Sequence, residues 1–347
     1  MKSIGVNFST GPVNISLEVQ AAIAAAPISH RSKEFQHLYF DTKNFLCEQF
    51  NVQDVFLMTG SGTLANEAMI WQIKIHGGKG LILSSGEFGS RLTEQAKRAS
   101  LDFIEDHLNW GGIFDLVSIE NKIQQNKITW VLFCHCETST GVVNDLNKIA
   151  AICSRQGSLC FVDCMSTVGT HNLDLSKVSM ATASSGKGFA SVPGLSIIFS
   201  NIQTLTSDHL PLYLDLFNYT KNGGIPFTIS SNIIYALHTS LKQKLRKGQF
   251  EMVNYYVKSC FNILTDKGML PFCNEHSNVF TLASGKSNNI IENFRRHDIL
   301  LSFESSYLIK RDLCQIAFFG YHQQTDLQKL FKAIHAVKVV YKTSKYE

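Results

Sequence analysis

The chain has no CxxC pair, no run of five or six basic residues and no apolar stretch long enough to cross a membrane, and each absence removes a class of protein. Without a basic run, the excess of +4 charges is the mildly basic surface of an ordinary globular protein. Neither nucleic acid nor a lipid surface is an expected partner. Without CxxC, the nine cysteines read as reduced side chains of a cytoplasmic protein, several of them (Cys134, Cys136, Cys160, Cys164) inside apolar runs. Cys134-His135-Cys136 fits no zinc spacing, and on a strand His135 faces away from both cysteines, so no metal is expected. The opening MKSIGVNFST lacks the apolar core of a secretory leader. No internal repeat or low-complexity linker is visible. What remains is a 347-residue chain, 44% hydrophobic and 17% charged, long enough for one large domain and a smaller one.

Strand and helix patterns alternate from about residue 15 to 200. Residues 15–26 and 33–50 carry helical spacing, the second through Phe35, Leu38, Tyr39, Phe45, Leu46 and Phe50. Short apolar runs follow at Val55–Met58, Gly80–Leu83, Trp130–Cys134, Leu159–Val162 and Ser196–Phe199, with helical stretches at Leu64–Ile75 and Asn147–Arg155. This alternation predicts an α/β fold, a mostly parallel sheet with helices on both faces. Beyond about 235 a helical region runs from Tyr235 to Asp266, with a break near Gly248. Strands at Val279–Leu282 and Leu313–Phe319 then alternate with helices at Ser287–His297 and Thr325–Val340. The expected boundaries are therefore a large domain over 15–235 and a small C-terminal α/β domain over 236–347.

Ligands of open α/β sheets bind beyond the carboxyl ends of the strands, so chemistry is sought in the loops there. Thr59-Gly60-Ser61-Gly62-Thr63 reads equally as a phosphate cradle at a helix N-terminus or as a capped, glycine-rich turn. Phe88, between Gly86 and Gly89, suits a wall for a flat ligand or a hydrophobic plug. Thr138, Ser139 and Thr140 precede Gly141 and make a polar rim. Asp163 closes a buried strand, where a carboxylate needs a partner such as a protonated pyridine nitrogen, or caps the next turn. Lys187 follows 24 positions later among Ser184, Ser185, Gly186 and Gly188. A desolvated lysine there is a nucleophile toward an aldehyde.

In this order the motifs resemble class V aminotransferases of the fold-type I pyridoxal-phosphate superfamily. The resemblance is closest to 2-aminoethylphosphonate–pyruvate and alanine–glyoxylate or serine–pyruvate enzymes. It rests on Phe8-Ser-Thr-Gly-Pro12, Thr59-Gly-Ser-Gly-Thr63, His135-Cys-Glu-Thr-Ser-Thr-Gly141, Val162-Asp-Cys-Met-Ser166 and Lys187 through Val192-Pro-Gly194. The segment Ile28-Ser-His-Arg-Ser-Lys-Glu-Phe35 is similar to the substrate loop of phosphoserine aminotransferases.

The resemblance implies pyridoxal phosphate bound through Lys187 as a Schiff base, with Asp163 on the pyridine nitrogen and Phe88 stacked on the ring. It puts Thr138 near the ring hydroxyl and Ser139 and Ser185 among the cofactor-binding residues. Ser61, Gly62 and Thr63 would hold the phosphate, with Thr228 reaching it from the second subunit of a homodimer. Residues 1–14, with Thr10 and Gly11, would pack by the active site. A small amino donor and a 2-oxo acid acceptor follow.

Two positions depart from the family pattern. Gln315 stands where the family has an Arg for the substrate carboxylate, and Gly186 stands where many members have Gln, leaving that role to Ser184 or Ser185. His30 with Arg31, Arg311 and Arg91 are the alternative anchors for a substrate anion, and the substrate is then a phosphonate- or phosphate-bearing amine or another specialised amine. The rival readings are a lyase, decarboxylase or cysteine desulfurase on the same fold, and a binding protein that kept the fold. Cys314 lies inside an apolar run rather than on a mobile loop, which weighs against a desulfurase.

Overall fold

A computed structural model describes residues 5–245, 249–273, 276–283 and 289–337. Its centre is a seven-stranded sheet: β1 (Asp54–Thr59), β2 (Lys79–Ser84), β3 (Asp102–His107), β4 (Trp130–Cys134), β5 (Leu159–Asp163), β6 (Met180–Ser184) and β7 (Leu195–Ser200). Their spatial order is β1-β7-β6-β5-β4-β2-β3. Every neighbouring pair is parallel except those of β7, which runs against both β6 and β1. The reason is local. The loop from Ser184 to Leu195 brings the chain straight back beside β6 as a hairpin, with Ser196 opposite Ser184, and no crossover helix intervenes. Lys187 rides on that hairpin, at the sheet edge where the parallel strands end.

The strands read as unbroken apolar runs because both faces are covered. Alternate residues Val55, Leu57, Val131, Phe133, Val162 and Phe199 face α2 (Lys33–Phe50), which supplies Phe35, Tyr39, Leu46 and Phe50. Their neighbours Phe56, Met58, Leu132, Phe161 and Ile198 face α3 (Gly62–His76) and α4 (Glu87–Arg98) through Ala65, Met69, Leu92 and Ala96. Helix α2 matches its expected span. It starts where Ser32 Oγ accepts the Phe35 N–H and stops at Asn51 in the left-handed region.

Strands β3 and β6 carry no strong apolar run. β3 (DFIEDH) is a half-exposed edge strand, and β6 (MATAS) is built of small residues so that α3 can pack closely over it. Helix α4 also lacks a local signal, because its N-terminal cap is supplied from 50 residues away. The Glu137 carboxylate accepts the backbone N–H groups of Phe88 and Gly89, at 3.1 and 2.8 Å.

Beyond the sheet, the helical region expected over Tyr235–Asp266 is made of helices α5 (Ser231–Lys244) and α6 (Gln249–Asp266), which part on either side of Gly248, itself outside the described residues. The antiparallel pair β8 (Val279–Ala283) and β9 (Leu313–Ala317) follows. Helix α7 (Ser306–Arg311) enters β9, and α8 (Gln324–Ala336) comes after it. The helix expected from Ser287 is Asn289–Arg296, its predicted start lying outside the described residues, as does the predicted end of the last helix at Val340. Phe8, from the N-terminal segment, is buried in the core of this unit beside Phe280, Ile316 and Phe318. Val6–Asn7 pairs with Ile299–Leu300. Residues 6–11 thereby run from the C-terminal unit to the lysine loop at the carboxyl edge of the large sheet.

Candidate active site

The ends of β4, β5 and β6 are in register, with Cys134 opposite Asp163 and Asp163 opposite Thr182. Their following loops, the N-termini of α3 and α4, and the start of α7 enclose a cavity of about 480 Å³. Lys187, Asp163, Gly62, Thr63, Phe88, Thr138 and Thr10 all line it. Residues spread over 178 positions of the sequence (10 to 187) thus meet in one place.

Asp163 is 6% exposed. Its Oδ2 accepts the Asn66 amide at 2.8 Å and its Oδ1 the Met165 N–H at 2.9 Å. Thr182 Oγ1 donates to Asn66 Oδ1 at 2.6 Å and so fixes which way that amide points. No Lys, Arg or His forms an ion pair with Asp163 among the described residues. Burial therefore pushes its carboxyl above the usual range, against the pull of those hydrogen bonds and of Lys187.

Lys187 is half-buried on the cavity wall. Its Nζ donates to Ser166 Oγ at 3.2 Å and stands 5.5 Å from the Phe88 ring centroid and 5.7 Å from that of Phe319. Burial lowers its pKa below the ordinary lysine value, and the charge of Asp163 only partly offsets this. A lysine among aromatic rings with one hydroxyl partner holds more neutral, nucleophilic amine than a surface lysine does. Ser166 also hydrogen-bonds Thr138 Oγ1, tying the hydroxyl loop to the lysine.

The floor is close-packed. A methyl group added to Gly62 would stand 2.5 Å from Met165 Sδ, so a larger residue there would displace the Met165 side chain. Ser61, the N-cap of α3, is exposed and makes no side-chain cap, and its carbonyl accepts Ser196 Oγ at 2.6 Å. The α3 N-terminus therefore keeps backbone donors for an anion.

Several expected site residues serve other partners. Ser139 is fully buried, bonding Glu137 and accepting the Glu87 N–H at 3.1 Å. Together with Glu137 it anchors the helix that carries Phe88. Ser185 Oγ donates to Val192 O at 2.6 Å and shapes the lysine loop, while Ser184 faces the cavity. Gln315 is 0% exposed and does not line the cavity. Its Nε2 donates to Thr138 O at 2.6 Å and Thr281 Oγ1 at 2.8 Å, and its Oε1 accepts Tyr307 Oη at 3.0 Å. Gly11 lies on the other side of the lysine loop, where an added methyl would sit 3.6 Å from Gly186 O. His30, Arg31 and Thr228 stand outside the cavity, Arg31 and Thr228 exposed.

Asn66, Met165, Ser166 and Tyr307 are site residues that the sequence reading missed. Asn66 had a signal: it is a polar residue on a helix face otherwise built from Ala65, Ala68, Met69 and Ile73, and buried polar groups need a partner. Tyr307 had none, being one tyrosine in a polar stretch far along the chain.

A seven-stranded sheet with an acid and a lysine facing one cavity at its carboxyl edge is the fold of the aminotransferases. Over 95% of this chain, an aspartate aminotransferase from Thermus thermophilus superposes with a TM-score of 0.84 at 20% identity, covering 99% of that structure. An alanine–glyoxylate aminotransferase from Nostoc sp. gives 0.85 at 22% identity, covering 96% and 95% of the two chains. Residues 16–210 match the family model "Aminotransferase class-V", and the chain belongs to that family. An uncharacterized aminotransferase of Methanocaldococcus jannaschii is 30% identical over 306 residues, 84% of this chain and 80% of the relative. A soluble hydrogenase 42 kDa subunit of Anabaena cylindrica is 31% identical over 252 residues, 69% of this chain. A 2-aminoethylphosphonate–pyruvate transaminase of Bacillus thuringiensis is 27% identical over 234 residues, 63% of this chain. The chain spans just under two-thirds of the length of those last two, 66% and 64%.

The family is pyridoxal-phosphate-dependent. The donor set of this cavity suits that cofactor: a buried acid with no ion-pair partner for a protonated ring nitrogen, an amine for the aldehyde, an aromatic wall, and an uncapped helix N-terminus for the phosphate. Among the described residues no helix is long and apolar enough to cross a membrane, and no cluster of three His, Cys, Asp or Glu is placed to hold a metal.

Proposed function

We propose that Lys187 carries pyridoxal phosphate and that this aminotransferase moves the amino group of a small amine or amino acid to a 2-oxo acid such as pyruvate or glyoxylate. A donor bearing a phosphonate or phosphate falls within this class, and the named 2-aminoethylphosphonate and alanine–glyoxylate relatives support it. The observation that carries the reading is Asp163, a buried carboxylate without an ion pair, in one cavity with a half-buried lysine.

The bound cofactor supplies an aldehyde for the donor amine and a ring that accepts the electron pair released when Cα loses its proton. The rest is done by side chains. Asp163, held by Asn66 and the Met165 N–H, would keep a proton on the ring nitrogen. Lys187 Nζ would hold the cofactor's aldehyde and, once released by the donor amine, would act as the base for the Cα proton and as the acid that returns it at the aldehyde carbon, across the nitrogen. Ser166 Oγ holds Nζ over the reacting atoms between transfers. Phe88 would lie against the cofactor ring and keep water from that face. Since Lys187 must be neutral to accept a proton, activity falls as pH drops through its lowered pKa.

The same reading includes a homodimer in which His30, Arg31 and Thr228 complete the partner's site. Exposed Phe40 and Tyr213 flank the loop that carries Thr228, Phe40 beside Gly223 and Tyr213 stacked on Phe227 at 5.1 Å, and an exposed aromatic patch of this kind suits an interface. A reducing, cytoplasmic setting agrees with nine unpaired cysteines.

The test is direct. Purified protein mixed with pyridoxal phosphate should turn yellow and bleach on adding an amino donor. Product analysis with pyruvate or glyoxylate should then show the new amino acid. Carbon dioxide, sulfide or an olefin as the product would instead indicate a decarboxylase, desulfurase or lyase.

A further inference from the structure

The geometry points to Arg91 as the residue that holds the acid group of the substrate, in place of the residue at position 315. This rests on the aminotransferase reading above and deepens it. Lys187 and Arg91 are the two cationic side chains on the cavity wall. Lys187 is the reacting amine, which leaves Arg91 to meet an anion.

The other arginine proposed for this task from the small unit is already occupied. Arg311 lies 3.6 Å from the Trp110 ring centroid and bonds Glu87 Oε1 at 3.2 Å, so its charge is answered and it does not line the cavity. Gln315 has both ends of its amide in use, in a pocket sealed by Tyr307. A substrate carboxylate brought to Gln315 would have to break that network and would gain no charge. Arg91 has neither an ion pair nor a hydrogen bond among the described residues. It sits one turn after Phe88 on α4, its guanidinium carbon 4.9 Å from the Phe88 ring centroid. Arg91 is exposed, and this cation–π contact leaves its N–H donors free for a carboxylate or phosphonate. Glu137 and Ser139, which fix the start of α4, thereby also fix Arg91.

The predicted substrate is an amine whose acid group lies within reach of Arg91, and the same contact then serves the 2-oxo acid in the return half-reaction. The experiment uses a matched pair of ligands, 2-methylalanine and isopropylamine, which differ by one carboxylate; 2-methylalanine has no α-proton to lose, and with no 2-oxo acid present isopropylamine cannot turn over catalytically. Calorimetric titration of the cofactor-loaded protein should show 2-methylalanine bound about 10- to 100-fold more tightly than isopropylamine, the span expected for a charge-assisted, bidentate contact. Arg91→Gln should erase that preference, Arg91→Lys should restore part of it, and Arg311→Gln should keep it.

A parallel titration of the cofactor-free variants with pyridoxal phosphate should give wild-type affinity. Retained preference in Arg91→Gln, no preference in the wild type, or loss of pyridoxal phosphate affinity in step with the preference would each overturn the proposal, the last by assigning Arg91 to the phosphate. Failure of the wild type to take up pyridoxal phosphate would sink the function itself, and it is read in the cofactor titration before any acid is added.

Discussion

The two walls of the cavity are made differently. The wall that faces the cofactor position is built by the large sheet: Asp163 at the end of β5, Lys187 on the β6–β7 hairpin, Gly62 and Thr63 at the start of α3. Each comes from a short segment whose backbone is set by its own strand end, and strand register brings them together. The opposite wall is built from Arg91, Tyr307 and the buried Gln315 beneath it, which lie on three unrelated elements and meet only through tertiary packing. The first wall carries the chemistry shared by a family. On the function proposed above, the second selects the molecule on which that chemistry acts, and Gln315, bonded to Thr138 O and Tyr307, braces it from beneath.

Removing the lysine gives the largest effect expected on either wall. Lys187→Ala should lower transamination roughly 1,000- to 10,000-fold and abolish the yellow colour while circular dichroism and thermal midpoint stay near those of the wild type. A folded variant that kept its colour would move the anchor elsewhere.

The natural alternative is Lys244, which is also buried, at 2% exposure, but among the described residues donates to Gly320 O at 3.2 Å and does not line the cavity of Lys187. Burial lowers its pKa from 10.5 to about 8. The unfolded chain therefore binds more protons between about pH 8 and 10.5, so this group makes stability rise with pH across that window, by about 3 kcal/mol at most. Denaturant titrations should show this rise flattened in Lys244→Met, with transamination retained. An unchanged pH slope would mean that Lys244 is hydrated after all.

A smaller effect separates the walls kinetically. Asp163→Asn should cut turnover about 10- to 100-fold while the affinity for a 2-oxo acid changes little, since it acts on the ring rather than on the substrate's acid. Comparable losses in both would merge the two walls into one. Smaller again, Gln315→Met should cost about 1–3 kcal/mol of folding stability, because Thr138 O, Thr281 and Tyr307 lose their partner inside the protein. Its KM for the acid substrate should hold within about twofold. A KM increase with unchanged stability would return Gln315 to the substrate.

The same contrast explains what could be read from the chain alone. Lys187, Asp163, Phe88, Thr138 and the Gly62-Thr63 turn were legible because glycine, hydroxyl and acid follow apolar strands in a fixed order, and chain order is visible in a sequence. The doubly covered sheet was legible for the same reason, through runs such as Trp130–Cys134. Ser139, Ser185 and Gln315 were placed with the ligand-facing residues because residue type does not show which way a buried side chain turns. Glu137 draws Ser139 away, Val192 O draws Ser185, and Tyr307 with Thr138 O closes around Gln315. Asn66 and Ser166 were invisible as partners because their bonds join residues 97 and 21 positions apart. The wall that chooses the substrate is assembled almost entirely by such long-range contacts.

The central claim is that one particular lysine holds the cofactor. Borohydride reduction of the protein loaded with pyridoxal phosphate, followed by peptide mass mapping, tests it most directly. The account predicts a single modified peptide, with the phosphopyridoxyl group on Lys187 and none on Lys244. A label on any other lysine, or none at all on folded protein, would contradict it.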